Sequence, residues 1–301
     1  MKKLSVIIVS YNNYDILKEC IESIILFNDI GDQLEIIVSD NSPNDYIVNE
    51  LQRDYPDVKS IYNNNIGFGA GNNKGFEISN GEYLLFLNPD TILIEPIFRF
   101  AIDKFDNNEK LSLFGVKLLN KQLKRNDSFF LMDNNSIMAN ALFKFFYFWD
   151  LYIDNKMYIS GANIFVRKSD FIKAGFFDEN IFMYYEEPDL IKRIKMNSNR
   201  GKIAYYKEKK IIHLEGGTEK KDIKTIKTKI ERNMVTYKYY CKKWGIDFNK
   251  NVNEIIRYQE LKRIIYKIFK DKDNIKLIDE LILMYKKYLR EQNEEQKGNV
   301  I

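Results

Sequence analysis

The chain has 301 residues, of which 45% are hydrophobic and 30% are charged, and it carries a net charge of +4. This composition excludes wholesale disorder, and no stretch approaches the ~18 consecutive apolar residues of a membrane-spanning helix. The two cysteines, Cys20 and Cys241, are far apart, which argues against a disulfide framework or a cysteine zinc site and favours a reducing compartment.

Strands and helices alternate through the first part of the chain. The continuous apolar run Leu4–Ser10 predicts a strand covered on both faces, and no small-residue cleavage site follows it as in a signal peptide. This alternation predicts a mostly parallel sheet with helices on both faces, which binds ligands beyond the carboxyl ends of its strands. Further strands are predicted at Leu34–Ser39, Val58–Tyr62 and Tyr83–Leu87, and helices at Tyr14–Phe27, Asp45–Asp54 and Gly69–Ser79.

All four of these predicted strands end in polar clusters. Turn chemistry or helix capping explains any one cluster alone. Four clusters at one edge of one sheet indicate a binding site. The clusters are Ser10-Tyr11-Asn12, Asp40-Asn41-Ser42, Asn63-Asn64-Asn65 and Asn88-Pro89-Asp90.

The middle of the chain is less regular. Residues 118–157 lack clear periodicity, and the aromatic run Phe143–Trp149 is open to three interpretations. It can be an acceptor-side loop, a membrane-contacting patch or part of the core, and the core is the default. A strand is predicted over Tyr158–Val166, where Gly161 permits close backbone approach.

The final third is helical and basic. Residues 1–200 carry a net charge of −6, whereas residues 201–301 carry +10. Such a segment is typical of a solvated helical face or of a protein that meets an anionic partner. Two apolar stripes on either side of residues 270–274 predict a helical hairpin, and the tail from Gln292 is expected to be loose.

The glycine-rich segment Asn65–Gly75 (NIGFGAGNNKG) fits neither the dinucleotide fingerprint nor a P-loop. Its glycines permit close approach to a ligand, and free N–H groups at the start of the next helix suit a phosphate. Asp90, just after the fourth predicted strand, is placed to hold a divalent cation, although a capped proline turn explains the same residues.

Two acidic residues and one histidine are further candidates for chemistry. Glu186 and Glu187 precede Pro188, which suits the first position of a helix. The helix dipole favours a charged carboxylate there, so Glu187 is interpreted as a base kept ionised near neutral pH, the alternative being an ordinary acidic first turn. His213 is the only histidine, and a lone histidine usually has a structural role. Its position at the end of a short strand, before a glycine-rich turn, makes metal or phosphate contact a second interpretation.

In order and spacing, these segments resemble the family 2 glycosyltransferases, which have the GT-A fold. The nearest branch is similar to the rhamnosyltransferase-type enzymes of bacterial surface-polysaccharide synthesis. The resemblance extends over about residues 3–245 and is looser over 118–157. The segments that carry it are VSYNN (9–13), VSDNS (38–42), NNIGFGAGNNKG (64–75), LFLNPDT (85–91), 161–194 and HLEGGT (213–218).

The resemblance implies a role for each candidate residue. Glu186 and Glu187 match a Glu-Asp pair whose second member is the catalytic base. Asp90 matches the metal-binding carboxylate, with Asn88 in place of the motif's first acidic residue, and His213 matches a histidine near the metal and diphosphate. The resemblance places Tyr11 and Asp40 at the nucleobase, and Asn65, Gly69, Asn72 and Asn73 along the ribose and diphosphate. Ser10, Asn88 and Asp90 complete the implied donor-binding residues.

The implied activity is an inverting transfer that needs Mg²⁺ or Mn²⁺. The donor is a nucleotide-diphosphate sugar, with dTDP-rhamnose favoured over galactofuranosyl, glucosyl or other hexosyl donors, and the acceptor is a glycan or a lipid-linked glycan. The alternative is a catalytically inactive relative that binds nucleotide sugar or glycan as an assembly partner, supported by the departures at Asn88 and Glu187. A nucleotidyltransferase lacks its expected glycine-rich loop here, and no nucleic-acid partner is expected.

The expected organisation is a GT-A catalytic domain over residues 1–222 and a basic helical extension over 223–301. Within the catalytic domain, residues 1–117 form the donor-binding half and 118–222 the acceptor-side half. The extension is expected to pack on the catalytic domain, to mediate self-association as a homo-oligomer, or to rest on anionic lipid. We expect a cytoplasmic protein, with peripheral contact at the inner face of the membrane left open.

Overall fold

The protein is described here from a computed structural model, in which residues 2–133, 136–214 and 223–298 are described. The elements in chain order are β1 (Leu4–Ser10), α1 (Tyr14–Leu26), β2 (Leu34–Asp40), α2 (Tyr46–Asp54), β3 (Lys59–Tyr62), α3 (Phe68–Glu77), β4 (Tyr83–Leu87), β5 (Thr91–Leu93), α4 (Phe98–Asp106), β6 (Leu111–Leu119), β7 (Phe129–Leu131), α5 (Ile137–Phe148), β8 (Met157–Ile159), β9 (Asn163–Arg167), α6 (Lys168–Ala174), α7 (Glu186–Asn197), β10 (Lys202–His213), α8 (Ile223–Trp244), α9 (Phe248–Ile268) and α10 (Lys272–Gly298).

The described residues divide into two compact units. One comprises Met1–Phe130 with Tyr152–Thr218, and the other comprises Leu131–Leu151 with Glu219–Ile301. The predicted boundary between residues 222 and 223 stays a prediction. The structure adds that helix α5, which the sequence places in an acceptor-side half, is grouped with the C-terminal helices.

The first unit is built on an eight-stranded sheet in the order β3-β2-β1-β4-β9-β6-β10-β5. Neighbouring strands from β3 to β4 are parallel, β9 runs antiparallel to both β4 and β6, and β5 runs antiparallel to β10. The predicted mostly parallel sheet is therefore confirmed. Every residue of β1, β2 and β4 is buried, which explains why these strands are continuous apolar runs in the sequence.

Some elements differ from the sequence-based expectation. The single strand expected over Tyr158–Val166 is two strands, β8 and β9, separated by residues 160–162. Helix α7 begins at Glu186, so Pro188 lies in its first turn and Glu187 is helical. Pro188 at the first helical position would instead start the helix at residue 188. The tail beyond Gln292, expected to be loose, continues helix α10 to Gly298.

The second unit contains helices α5, α8, α9 and α10. The predicted hairpin is confirmed, because α9 ends at Ile268 and α10 begins at Lys272 and packs along it. The aromatic run Phe143–Trp149 is not core, since none of the residues of α5 is buried. Within the described ranges, no helix combines the length and the apolar character that a membrane crossing requires.

Candidate active site

The carboxyl ends of β1 and β2 lie side by side, with Ser10 paired to Asp40 in the parallel register. The Ser10 hydroxyl donates to Asp40 Oδ1 at 2.8 Å, and the hydroxyl of Ser42 donates to the same oxygen at 2.7 Å. Asp40 is fully buried, and its Oδ2 has no hydrogen-bond partner among the described residues. This leaves one carboxylate oxygen ready to accept from a ligand. Beside it, the ring of Tyr11 is 52% exposed.

Asp90 and His213 are brought together by the antiparallel pairing of β5 with β10. His213 pairs with Thr91, and the backbone N–H of Leu214 donates to the carbonyl of Asp90 at 2.9 Å. His213 Nε2 consequently lies 3.3 Å from Asp90 Oδ1. The carbonyl of His213 accepts from the Asn126 amide at 3.2 Å, which helps to fix the end of the strand.

This pair fits two of the ligands of a divalent cation. Two ligand atoms that are each about 2.1 Å from an octahedral cation, at right angles, lie about 3 Å apart, close to the separation observed. Among the described residues, no group of three or more His, Cys, Asp or Glu side chains could hold a metal. A cation held by Asp90 and His213 would need further ligands, for which water, amide or backbone oxygens and a bound anion are all suitable.

Asn88 connects the candidate metal loop to the neighbouring strand β9. Its backbone N–H donates to the carbonyl of Ala162 at 3.1 Å, and its own carbonyl accepts from the Thr91 hydroxyl at 2.7 Å. Its side-chain Oδ1 is buried and has no partner among the described residues. A buried amide oxygen of this kind is normally satisfied by water or by a ligand.

Glu187 lies at the start of α7, against the backbone before β9. Its Oε1 accepts from the backbone N–H of Gly161 at 3.0 Å. A Cβ atom at position 161 would come within 2.3 Å of that oxygen, so a side chain there would displace the carboxylate from this position. Because the next residue, Ala162, accepts from Asn88, one short stretch of backbone joins the candidate base to the loop that carries Asp90.

Burial dominates the ionisation of the two adjacent carboxyl groups. It raises the pKa of Glu187 to about 7, although the N–H of Gly161 favours the charged form. Burial, and then the charge of Glu187, raise the pKa of Glu186 well above its usual range. Glu186 is 4% exposed, and its Oε2 has no partner among the described residues. The expectation of a base that the helix dipole keeps ionised near neutral pH therefore leaves out the effect of burial.

The backbone before this helix is held in an uncommon conformation. Tyr184 and Tyr185 both have positive φ values, 68° and 69°. Left-handed backbone at non-glycine residues costs of order 1–3 kcal/mol each and persists only where the surrounding structure imposes it. The sequence carries no signal for this feature, which sets the direction in which α7 leaves the loop.

The glycines of α3 face the segment that leads into α7. Gly67 has φ of 94°, and a Cβ there would lie 2.5 Å from the carbonyl of Phe182. Phe68 N–H donates to that same carbonyl at 2.9 Å. A Cβ at Gly69 would lie 3.0 Å from Phe177 Cβ. These glycines therefore permit close packing of two protein segments, and a donor contact at Gly69 stays a prediction.

Asn72 and Asn73 differ in what their side chains bind. The Asn73 amide donates to the carbonyl of Phe177 at 3.0 Å and accepts from the Phe177 N–H at 3.0 Å. It also donates to Glu179 at 3.1 Å. Asn72 donates to the carbonyl of Phe68 at 3.1 Å, and its Oδ1 is buried with no partner among the described residues. Asn72 is thus the better placed of the two for a ligand.

The predicted site residues all lie on elements and loops of the first unit, and two of them are more peripheral. The ends of β1, β2 and β4, the start of α3, the start of α7 and the end of β10 all carry members of this set. Asn65 and Tyr11 are exposed in the loops beyond the strands. Residues 215–218 of the HLEGGT segment lie outside the described residues. The roles of individual residues stay predictions.

Comparison with known proteins identifies a family. Residues 5–175, more than half of the chain, match the family model described as Glycosyl transferase family 2. Rhamnosyltransferase WbbL of Escherichia coli (strain K12) is 26% identical over 208 residues, which cover 64% of this chain and 76% of that protein.

Two further relatives match over shorter regions. The GalNAc(5)-diNAcBac-PP-undecaprenol beta-1,3-glucosyltransferase of Campylobacter jejuni subsp. jejuni is 34% identical over 127 residues, 40% of each chain. The poly(ribitol-phosphate) beta-glucosyltransferase of Bacillus spizizenii is 30% identical over 124 residues, 39% of this chain and 20% of that protein. The matches span less than half of the length of these two relatives.

Two solved structures share the fold. S. aureus TarS 1–349 has a TM-score of 0.51 and 16% identity, covering 92% of this chain and 90% of that one. The mannosyltransferase PcManGT from Pyrobaculum calidifontis, solved with GDP-Man and Mn²⁺, has a TM-score of 0.52 and 12% identity, covering 72% and 58%. The GT-A architecture with C-terminal helices is confirmed.

Proposed function

Because this chain belongs to glycosyl transferase family 2 and is a glycosyltransferase, we propose that it moves a sugar from a nucleotide-diphosphate donor to an acceptor hydroxyl with inversion. The observation that carries this proposal is the buried Glu187 at the mouth of α7, joined through residues 161–162 to the loop of Asp90 and His213. An inverting transfer needs a base for the incoming hydroxyl and stabilisation of the leaving diphosphate.

Each group has a proposed task. Asp40 accepts a hydrogen bond from the nucleobase through its unpartnered Oδ2, beside Ser10 and Tyr11. The start of α3 and Asn72 receive the ribose and diphosphate. Asp90 and His213 would hold Mg²⁺ or Mn²⁺, which when bound neutralises negative charge on the leaving group.

Glu187 acts as the general base. With a pKa of about 7, Glu187 is partly ionised at neutral pH. Its ionised form is a stronger base than a carboxylate with the usual, lower pKa, so it accepts the proton of an attacking hydroxyl more readily. The N–H of Gly161 holds its carboxylate in place. The proton is transferred to Glu187 as the hydroxyl oxygen bonds to the anomeric carbon and the bond to the diphosphate breaks, so no covalent enzyme intermediate is required.

The favoured donor is dTDP-rhamnose, and the favoured acceptor is a glycan or lipid-linked glycan of cell-surface polysaccharide synthesis in the cytoplasm. The similarity to a rhamnosyltransferase supports the sugar. The similarities to enzymes named for an undecaprenol-linked glycan and for poly(ribitol phosphate) support the acceptor class, and they equally make glucose the second sugar to test.

The test is donor turnover by Glu187→Gln beside the wild type. The substitution keeps size and removes basicity, so transfer should fall by about 10²–10⁴-fold while calorimetry shows unchanged donor affinity. Glu77→Gln, at an exposed carboxylate on α3, is the matched control and should retain full activity. Wild-type turnover by Glu187→Gln would remove this residue from the mechanism.

A second function, a catalytically inactive sugar-nucleotide or glycan-binding protein, is favoured by Asn88 and by Glu in place of Asp at position 187. Under that alternative the wild type binds a nucleotide sugar with Mn²⁺ yet neither transfers nor slowly hydrolyses it. Screening a panel of nucleotide sugars for thermal stabilisation and then for hydrolysis separates the two functions and identifies the donor.

A further inference from the structure

Helix α5 is an apolar helix whose residues all remain at least partly exposed. Only Asn140 and Lys144 are strongly polar among its 12 residues, and none of the 12 is buried. Ile137 and Phe148 are exposed, at 37% and 77%. Four further exposed apolar side chains recur at spacings of four, three and four, which places them on one face of the helix. They are Met138, Leu142, Phe145 and Trp149.

The tip of the α9–α10 hairpin, in the same compact unit, has a related character. Ile268 and Phe269 are 71% and 76% exposed, and Ile264 one turn earlier is 57% exposed. Residues 262–276 contain six lysines or arginines against two aspartates. Three of these lysines are exposed around the apolar tip: Lys267, Lys270 and Lys272.

Together, we propose, these two elements form a lipid-docking surface that rests on an anionic bilayer. Apolar side chains enter the headgroup region, where aromatic residues such as Trp149 are favoured, and the tip lysines contact acidic headgroups. Contact of α5 with α9, where Lys144 lies 5.6 Å from the ring of Tyr258, keeps the two elements in one structural unit.

The charge of the hairpin tip favours an anionic bilayer over a second copy of this chain as the partner of this surface. A symmetric dimer through the hairpin tip would set Lys267, Lys270 and Lys272 against the same lysines of the partner, and like charges oppose that contact. Anionic headgroups are complementary to them. A protein docked on the bilayer through this surface would also be close to a lipid-linked acceptor. In this respect the inference rests on the proposed function.

The experiment is co-sedimentation of the full-length protein with vesicles in the absence of donor and acceptor. Vesicles of phosphatidylcholine with phosphatidylglycerol should pellet the protein, and pure phosphatidylcholine should bind it much more weakly. High salt should release it, because surface charge interactions are screened. In a Trp244→Phe background, the emission of Trp149 should shift to shorter wavelength on binding, since the indole leaves water.

Two sets of substitutions separate the charged and apolar contributions. Lys267→Gln/Lys270→Gln/Lys272→Gln should weaken binding by about 100-fold, at about fivefold per lysine near the surface. Ile268→Ser/Phe269→Ser should weaken it to a similar degree. The control is Leu26→Ser, which removes an equally exposed apolar side chain, 76%, from the first unit and should bind vesicles like the wild type.

Absent binding to anionic vesicles, or binding that both sets of substitutions leave unchanged, overturns the proposal. So does a wild-type dimer in sedimentation equilibrium that Ile268→Ser/Phe269→Ser converts to a monomer without vesicle binding in either protein, because the surface then joins two copies. Hydrolysis of soluble donor is measured on the same proteins. Loss of vesicle binding with intact hydrolysis locates the defect in docking, whereas vesicle binding without hydrolysis counts against the proposed function only.

Discussion

Burial raises the pKa of Glu187 and the helix terminus lowers it, and the effect of burial is the larger. The start of a helix stabilises a carboxylate by about 0.3–1 kcal/mol at exposed sites, equivalent to less than one pKa unit. Burial nevertheless brings the pKa of Glu187 to about 7. On the same helix, Arg193 forms an ion pair with Asp189 at 2.7 Å. Desolvation therefore decides the direction in which the pKa of Glu187 moves.

This predicts the pH dependence of transfer. The rate should rise about tenfold per pH unit below pH 7 and level off above it, because only ionised Glu187 accepts a proton. Glu186→Gln should keep the same profile, since burial, and not the charge of Glu186, raises the pKa of Glu187. Measurement of kcat from pH 5 to 9 checks both, and a flat profile in the wild type would contradict the assignment of the base.

The contribution of Glu186 to the free energy of unfolding should fall as pH rises, whereas the transfer rate should rise. The pKa of Glu186 is raised in the folded protein, so the folded state holds this proton more tightly than the unfolded state does. The resulting stability is fully present below the unfolded-state pKa and is lost as pH rises toward the folded-state pKa. Glutamine cannot ionise. Relative to the wild type, Glu186→Gln should therefore gain up to about 1.4 kcal/mol of unfolding free energy per pH unit above about 4.5. Urea unfolding at pH 5 and 8 measures this, and an equal difference at both values would contradict it.

At the scale of elements, α3 and the loop before α7 form one interlocked assembly. Phe68 and Asn73 bind the backbone of residues 177–182, and Gly67 and Gly69 permit the close approach. The proposed diphosphate-binding helix is thereby fixed to the segment that carries the proposed base.

Two neighbouring asparagines should consequently give different kinetic defects. Asn73→Ala leaves the backbone groups of Phe177 without their partner, which costs about 1–3 kcal/mol for each buried group and loosens the base. Asn72→Ala removes an amide whose Oδ1 is free for a ligand. We expect a lower kcat with little change in donor KM for Asn73→Ala, and a higher donor KM for Asn72→Ala. Steady-state kinetics with varied donor decides, and the reverse pattern would contradict the assignment.

The sequence predicts some of these elements and not others, for physical reasons. Strands β1, β2 and β4 are buried along their whole length, so their apolar runs are unambiguous. Contact between Asp90 and His213 depends on antiparallel pairing of distant strands, which local pattern does not encode. Helix α5 misleads because a run of aromatic residues has the composition of a core segment, whereas tertiary structure leaves it exposed.

On the scale of the whole chain, each of the two units contains buried apolar side chains. The main core cluster is built from strands and helices of the first unit, such as Val6, Leu85 and Phe165. In the second unit the buried residues come from the long helices, among them Tyr240 and Ile256. All of the candidate site residues belong to the first unit, and both elements of the proposed lipid-docking surface belong to the second.

This separation predicts how a ligand stabilises the protein. A nucleotide sugar with Mn²⁺ binds only the folded first unit, and at 100 times its dissociation constant it should add about 2.7 kcal/mol to the unfolding free energy of that unit. Differential scanning calorimetry should therefore show two transitions, of which the ligand raises one and leaves the other in place. Asp90→Ala should abolish the part of the shift that depends on Mn²⁺. A single transition that moves as a whole would mean that the two units unfold together, because binding to either would then stabilise both.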